Sequence, residues 1–305
     1  MDRLAAVTLA VVPVALLIGL GWGLRRAAFL PDPFWPGAER LCFVVLLPAL
    51  LAQGLGTADL GGVPVAGMAA AIVAPLFVTA AVLVALRRHL GIDGPGFTSV
   101  LQGGIRFNNY IGLAASAALY GAPGVALAAL ANAAIVPTVN VMSVLAFARF
   151  GTARPNLAGT LKALATNPLI LGCAIGAVWQ ATAAPVPGVV SAALRSLGQA
   201  SLPIGLLCVG AAFTPRALRA RPGAAAVASA AKFVLLPALT WLACAAFGVR
   251  GVPAEVTVLF AALPTATSSY IMSKQLGGDA PLMAGITTLQ TLVAAATLPL
   301  TLALV

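Results

Sequence analysis

One polar segment interrupts a long hydrophobic run in the first half of the chain, and its residues could bind an anion. Residues 103–110 read GGIRFNNY, so two glycines are followed by a full positive charge and two amides. Arg106 can donate charge-assisted hydrogen bonds to a carboxylate, and asparagine often caps helix N-termini. If the glycines break a helix, the helix that restarts beyond them offers unpaired N–H groups and a partial positive charge. The segment therefore predicts an anion site at a helix break.

A second segment, 160 positions further along, repeats the pattern as LPTATSSY at residues 263–270. At this offset Pro264 falls opposite Gly104, and the two serines fall opposite the two asparagines. Two interrupted hydrophobic segments at matching places in two halves indicate the binding site of a transporter. Alternatively, each segment only kinks its helix. The predicted breaks are Gly103, Gly104 and Pro264, and the predicted substrate-binding residues are Arg106, Asn108, Asn109, Tyr110, Thr265, Thr267, Ser268 and Ser269.

Arg106 is the most informative of these residues. A charge near the middle of a membrane costs at least about 2.5–3.5 kcal/mol and usually faces a cavity or a partner. The seven acidic residues all lie outside the deep parts of the hydrophobic runs, with Glu255 the nearest, so we expect the substrate to supply the anion. Arg106, Asn109 and Tyr110 would share one helical face. The alternative is that Arg106 extends to the interface or bonds backbone carbonyls.

Other polar residues in the apolar runs have ordinary explanations. Lys232 could add positive field to the site, pair with backbone carbonyls or extend to the interface. Asn132, Thr138 and Asn140 could line a cavity or join helices by hydrogen bonds. The four cysteines are far apart and show no metal or disulfide spacing, so we expect no cofactor and no metal.

The composition requires a membrane protein. Of 305 residues, 61% are hydrophobic and 8% are charged, against roughly 25% charged in a soluble domain. The first run, 5–24, ends in two arginines and is predicted to be a membrane helix rather than a cleaved signal. The basic residues stand singly or in small groups without interleaved aromatics, so nucleic acid is not an expected partner; the lipid bilayer is.

Ten hydrophobic runs are long enough to cross a bilayer. The connections between them are short, so any function must reside in the membrane bundle. The fold class is therefore an all-α polytopic membrane protein. The predicted spans are 4–24, 40–57, 64–86, 97–119, 123–148, 164–184, 189–213, 223–247, 254–275 and 280–304.

Basic residues predict the orientation of these spans. Twelve lie in the connections after the odd-numbered helices, and only Arg3 and Arg250 lie on the opposite side. The positive-inside rule then places the richer side in the cytoplasm and both termini outside it. The expected location is the inner, or plasma, membrane.

Prolines suggest an internal repeat that spans the whole chain. Three pairs recur at offsets of 155, 162 and 162, close to the 160 of the central segments. Each half, 1–150 and 164–305 with a cytoplasmic linker at 151–163, then has five helices, and an odd number inverts the second half. Inverted repeats of this kind occur in secondary transporters. The pairs are Pro48 with Pro203, Pro75 with Pro237, and Pro137 with Pro299.

Short motifs in a constant order carry a resemblance to a known family. They are RFN at 106–108, YIGL at 110–113, NPLI at 167–170, LG at 197–198, LP at 202–203, GA at 210–211, and LPTA at 263–266 with Tyr270. With these motifs the chain resembles the auxin efflux carrier family over nearly its whole length.

The resemblance implies two inverted five-helix repeats, with broken helices four and nine crossing at mid-membrane. It implies an elevator-like movement of a transport part against a scaffold, and organic-anion substrates such as dicarboxylates in bacteria and auxin in plants. It also assigns Arg106 and Asn108 to the site. Two departures are notable: Gly103-Gly104 stands where family members often have proline, and the large cytoplasmic loop of long plant carriers is absent.

The sequence thus predicts a secondary transporter, or permease, for a small organic anion, with a carboxylate favoured. The alternative is a sodium-coupled symporter of the bile-acid-transporter type. A membrane-embedded enzyme would need a nucleophile–base pair or a metal cluster, which the sequence lacks, and a channel or sensor is the third class. The sequence leaves the substrate, the coupling ion and the oligomeric state open, a homodimer included.

Overall fold

The structure, a computed structural model, describes residues 3–152, 157–183 and 185–304, and this part of the chain is helical without β-strands. Seven helical segments are long and apolar enough to cross a membrane, and two shorter apolar helices accompany them. The protein is therefore an all-helical chain with several membrane spans. The count of ten crossing helices, the inversion of the halves and the division at residues 150 and 164 stay predictions.

Twelve helices, labelled in chain order, make up the described chain. They are α1 (Arg3–Arg26), α2 (Phe34–Gly56), α3 (Val65–Leu86), α4 (Gly94–Ile105), α5 (Asn109–Phe150), α6 (Leu157–Ala165), α7 (Pro168–Thr182), α8 (Gly188–Ala211), α9 (Pro222–Ala246), α10 (Val252–Ala261), α11 (Ser268–Gln275) and α12 (Ala280–Leu304). Helix α6 lies largely in the predicted linker, of which residues 153–156 are outside the described residues.

Glycine and proline decide where several helices bend. Helix α5 covers the second part of the predicted span 97–119 and all of the span 123–148, and between them Gly121 has φ of 61°, a left-handed conformation that kinks the helix. Helices α2 and α9 each contain one π turn, at Cys42–Leu46 and Ala231–Leu235, and each turn is followed by the sequence Leu-Pro-Ala-Leu. Because proline has no N–H to donate, the wider turn accommodates the helical hydrogen bond that is lost there.

The helices pack into two groups around one continuous apolar core. In the first group α1 packs on α8, and α2 packs on α7 and α8. In the second group α9 packs on α3, α4 and α10. The long helices α5 and α12 contact both groups. The two interrupted segments, α4–α5 and α10–α11, belong to the second group and meet at its centre.

Candidate anion-binding site

The first interruption lies at Arg106–Asn108, between α4 and α5. The predicted break at Gly103 and Gly104 is wrong, because both residues are helical and the Arg106 N–H still bonds the Gln102 carbonyl at 2.8 Å. Arg106 itself is extended, with φ of −78° and ψ of 162°. The glycines allow close packing instead: a Cβ on Gly103 would lie 2.7 Å from a methyl group of Ile286.

The second interruption covers residues 262–267, between α10 and α11, and contains Pro264 as predicted. Gln290 of α12 joins the two interruptions. Its Oε1 accepts a hydrogen bond from the Thr265 N–H at 2.9 Å, and its Nε2 donates to the Gly103 carbonyl at 2.9 Å. One fully buried amide thereby satisfies a backbone group at each break, as a buried break requires.

Arg106 is held by neutral partners. Its Nε donates to Ser269 Oγ at 2.9 Å, one Nη donates to Asn140 Oδ1 at 2.9 Å, and the other donates to Ser268 Oγ at 3.1 Å. Only 8% of the residue is exposed, and no carboxylate in the described chain forms an ion pair with it. A buried cation without an anion is costly, so this arrangement favours a ligand that brings negative charge.

A cavity of about 670 Å³ opens in front of this guanidinium. Its lining comes from both helix groups, including α2 and α7 of the first group and the two interruptions of the second. Six of the eight predicted binding residues line it: Arg106, Asn108, Asn109, Tyr110, Thr267 and Ser268.

Thr265 and Ser269, the other two predicted binding residues, are fully buried and do not line the cavity. Their hydroxyl oxygens lie 3.1 Å apart, and Ser269 accepts the hydrogen bond from Arg106. They support the guanidinium from behind. The prediction that Arg106, Asn109 and Tyr110 share one helical face is wrong, since Arg106 is not helical. All three residues nevertheless line the cavity.

The start of α5 shows which polar groups of the predicted residues already have hydrogen-bond partners. Asn108 Oδ1 accepts hydrogen bonds from the N–H groups of Tyr110 and Ile111 at 3.0 and 3.3 Å, so this oxygen caps the helix. Asn109 Oδ1 and Tyr110 Oη are buried and have no hydrogen-bond partner in the described chain. Both residues line the cavity, although these two oxygens are themselves enclosed by protein.

Glu39 also lines the cavity, although its place in the sequence does not predict this. Its carboxylate accepts a hydrogen bond from Thr267 Oγ1 at 2.5 Å, which connects α2 to the second interruption. Arg40 lines the same cavity. The only local signal was the position of Glu39 and Arg40 at the start of a hydrophobic run, where charged residues are ordinary. With Arg106 included, the cavity has two cations and one anion among its lining residues.

The polar residues of α5 take separate roles. Asn140 lines the cavity and bonds Arg106. Asn132 Nδ2 and Thr138 Oγ1 donate to carbonyls four residues earlier in their own helix. The sequence left two roles open for these residues, to line a cavity or to join helices, and Asn140 therefore has the first.

Comparison with known proteins identifies relatives of this chain. Residues 152–302 match a family model described as membrane transport protein. A putative malonate transporter from Rhizobium meliloti (strain 1021) is 29% identical over 175 residues, which is 52% of this chain and 54% of that protein. A probable auxin efflux carrier component 5c from Oryza sativa subsp. japonica is 27% identical over 118 residues, which is 37% of this chain and 32% of that protein.

The alignment covers about half the length of the first relative and about a third of the second. The predicted resemblance to the auxin efflux carrier family is confirmed.

Proposed function

This chain is related to the membrane transporters of the auxin efflux carrier family, and from that premise we propose that it is a secondary transporter for a small dicarboxylate, with malonate as the first candidate. The proposed transporter lies in the inner membrane and crosses it with ten helices in two inverted repeats. Both of its termini lie on the side opposite the cytoplasm. One of its relatives is named as a putative malonate transporter.

The observation that carries the proposal is the buried Arg106 with only neutral partners at the wall of a large cavity. Hydroxyl and amide oxygens orient the guanidinium without neutralising it. One of its five N–H groups has no partner in the described chain, since Nε and one Nη2 hydrogen serve serines and Nη1 serves Asn140 and the sulfur of Met272. A carboxylate that binds here receives a charge-assisted hydrogen bond in a site largely shielded from water.

The charges of the cavity lining favour an anionic substrate. Arg40 supplies a second positive charge in the lining, and Glu39 supplies the only negative one. With Arg106 the three charges sum to +1, so the lining favours an anion, and the choice of a dicarboxylate follows from the relative that is named as a putative malonate transporter. Asn109 and Tyr110 also line the cavity, and each has an unpaired oxygen that a rotation of its side chain would bring to the substrate.

The two helix groups support an elevator-like alternating-access mechanism. The cavity lies where they meet, and both substrate-facing interruptions belong to the second group. A movement of the second group along α2 and α7 would carry Arg106, its hydrogen-bond partners and the bound anion together. The Glu39–Thr267 hydrogen bond joins the two groups and must break in such a movement.

The test is malonate binding by calorimetry and malonate uptake into proteoliposomes. We expect Arg106→Ala to weaken binding by at least about 30-fold, because truncating one partner of a buried charge pair costs about 2–5 kcal/mol. Arg195→Ala, which removes an exposed arginine outside the cavity, serves as the matched control. Equal malonate affinity in the parent and Arg106→Ala would contradict the proposal. Replacement of sodium by choline in the uptake buffer separates this carrier from the sodium-coupled alternative.

A further inference from the structure

A second cation, Lys232, lies inside the second helix group and away from the anion cavity. It belongs to the π turn of α9 and is 1% exposed. No residue in the described chain forms a hydrogen bond or ion pair with its ammonium group. Single π turns inside α-helices are frequent at functional sites. The proposed anion binding does not use this lysine.

Lys232 faces a chamber of about 10 Å³, which is close to the smallest space that holds one water molecule. The chamber wall is formed mainly by aliphatic and aromatic side chains, with Thr240 and Thr257 as its other polar residues. Thr257 Oγ1 donates to the carbonyl of Pro253, whereas Thr240 Oγ1 is buried without a partner. The lysine therefore has at most one free hydroxyl, and no acid, within its chamber.

Ionisable groups on the surrounding helices point elsewhere. Helices α3, α4 and α12 contain none within their bounds. On α10, the Glu255 carboxylate accepts a hydrogen bond from Tyr120 of α5, and on α9 Cys244 lies twelve residues beyond the lysine. Neither these groups nor Tyr110 and Arg106 line the chamber. An ammonium ion in this position has nothing to neutralise it, and a buried unpaired charge tends to exchange its proton instead.

The chamber and the anion cavity share the first interruption as a common wall. Arg106 and Phe107 line the cavity, and Phe107 and Ile105 line the chamber. Adjacent Cα atoms are about 3.8 Å apart, so a movement of this segment acts on both spaces. A negative charge bound at Arg106 also reduces the electrostatic repulsion that a proton on Lys232 would meet.

We propose that Lys232 carries a proton that is taken up together with the anion, so that the protein is an anion–proton symporter. The proton comes from water on the side where the anion enters, and it bonds to the lone pair of Lys232 Nζ. When the second helix group has moved, the anion leaves Arg106, the repulsion returns, and Nζ releases the proton to water on the other side. The inference rests on the proposed function, because it requires an anion at Arg106.

The first measurement needs no variant. Malonate binding to the purified protein is followed by calorimetry in two buffers of different ionisation enthalpy, which gives the number of protons taken up. We expect about one proton per malonate, with an affinity that rises by up to about tenfold for each unit of decreasing pH. Between about pH 7 and pH 9 the charge of malonate hardly changes, since carboxyl groups titrate at lower pH. Binding without proton uptake would overturn the proposal.

The second measurement uses Lys232→Met and Lys232→Gln in proteoliposomes. We expect both variants to lose malonate accumulation driven by a pH gradient and to retain malonate exchange, which needs no net proton movement. Lys232→Arg keeps the positive charge but does not release its proton, so we expect it to lose pH-driven malonate accumulation as well. Lys274→Met, at an exposed position of α11, should accumulate malonate like the parent.

The results separate this inference from the proposed function. Accumulation of malonate by Lys232→Met in response to a pH gradient would overturn the role of Lys232 and leave the proposed carrier function intact. Absence of both malonate binding and malonate exchange in the parent protein would overturn the proposed function, and the proton role with it.

Discussion

The two interrupted segments occupy matching places in the sequence, yet they are held in different ways. In the first, Asp93 caps α4 by accepting from the Gly96 N–H, and Asn108 caps α5. In the second, neither Gly251 before α10 nor Thr267 before α11 forms a side-chain cap. The first break leaves three residues outside the helices, and the second leaves six.

The two segments therefore have different roles: the first supplies the positive charge of Arg106, and the second supplies the hydroxyl groups that hold it. The first segment has local caps at both helix starts and holds Arg106 at its centre. The second segment depends on residues that are distant in sequence, because Gln290 bonds Thr265, Arg106 bonds Ser268 and Ser269, and Glu39 bonds Thr267. We infer that the first segment is the stable half of the site and that the second is the half that rearranges when the anion binds or leaves.

Removal of the amide that joins the two breaks should have the largest effect on stability. Gln290→Leu leaves the Thr265 N–H and the Gly103 carbonyl buried and unpaired, at about 1–3 kcal/mol for each group. We expect a loss of about 2 kcal/mol or more in the free energy of unfolding, measured by thermal melting in detergent. Gln102→Leu is the matched control, since Gln102 is equally buried but donates one hydrogen bond and has an Oε1 without a partner. Equal melting temperatures for the two variants would contradict the bridging role.

Addition of a methyl group at Gly103 tests whether the first segment depends on close packing. Gly103→Ala brings a Cβ to within 2.7 Å of Ile286 and 3.0 Å of Ala228, and overpacking of this kind costs about 1–3 kcal/mol. Gly19→Ala, in α1, meets no atom within 4 Å and should stabilise by about 0.5–1 kcal/mol. The melting temperatures should therefore shift in opposite directions. A stabilising Gly103→Ala would show that this segment tolerates expansion.

The cap of α5 should matter more for stability than the corresponding position before α11. We expect Asn108→Ala to lose about 1 kcal/mol, as for other N-caps, whereas Thr267→Ser keeps its hydroxyl and has no cap to lose, so its effect should stay within about 0.5 kcal/mol. Asn108→Asp keeps a cap acceptor but adds a negative charge beside the cavity, so it should weaken malonate binding while preserving the melting temperature. A large loss in Thr267→Ser would refute the difference between the breaks.

The smallest expected effect concerns the far end of α4. Arg221 donates a hydrogen bond to Asp93 at 2.8 Å and holds the pKa of that carboxyl below its ordinary value. The resulting stability is present above the unfolded-state pKa, near 4, and is lost as the pH falls through the lower folded-state pKa. We expect Arg221→Ala to be less stable by at most about 1 kcal/mol at pH 7, because Arg221 and Asp93 are exposed and the second ion pair of Arg221, with Asp279 Oδ2, is longer at 3.6 Å.

The pH profile provides the check on that pair. The difference between the parent and Arg221→Ala should shrink as the pH falls below about 4 and disappear once Asp93 is protonated in both proteins. Arg219→Ala, which removes a neighbouring exposed charge, should show no such pH dependence. A difference that persists in acid would assign the effect to packing of Arg221.

Several features of the site were predictable because they depend on local chemistry. Arg106 and Pro264 are conspicuous in apolar runs, since lipid does not accommodate a charge or a free backbone group. The same logic failed at Gly103 and Gly104, because a glycine that permits close helix packing and a glycine that breaks a helix look alike in sequence. Glu39 was missed for a similar reason: a carboxylate at the start of a hydrophobic run gives no indication of which helix it will meet.

By itself, the sequence determined three features of this protein: an apolar helical fold, the regions with few charges, and the two polar segments that interrupt the apolar runs. It could do so because hydrophobicity and helix-breaking are properties of short stretches. Only the tertiary structure decided what holds Arg106, how Gln290 bonds a carbonyl 187 positions away, and that Thr267 reaches Glu39 across 228 positions. Such contacts depend on which helix faces which, and helix packing is decided by the shapes of many side chains together. The buried and unpaired state of Lys232 likewise arises from the closure of several helices around it.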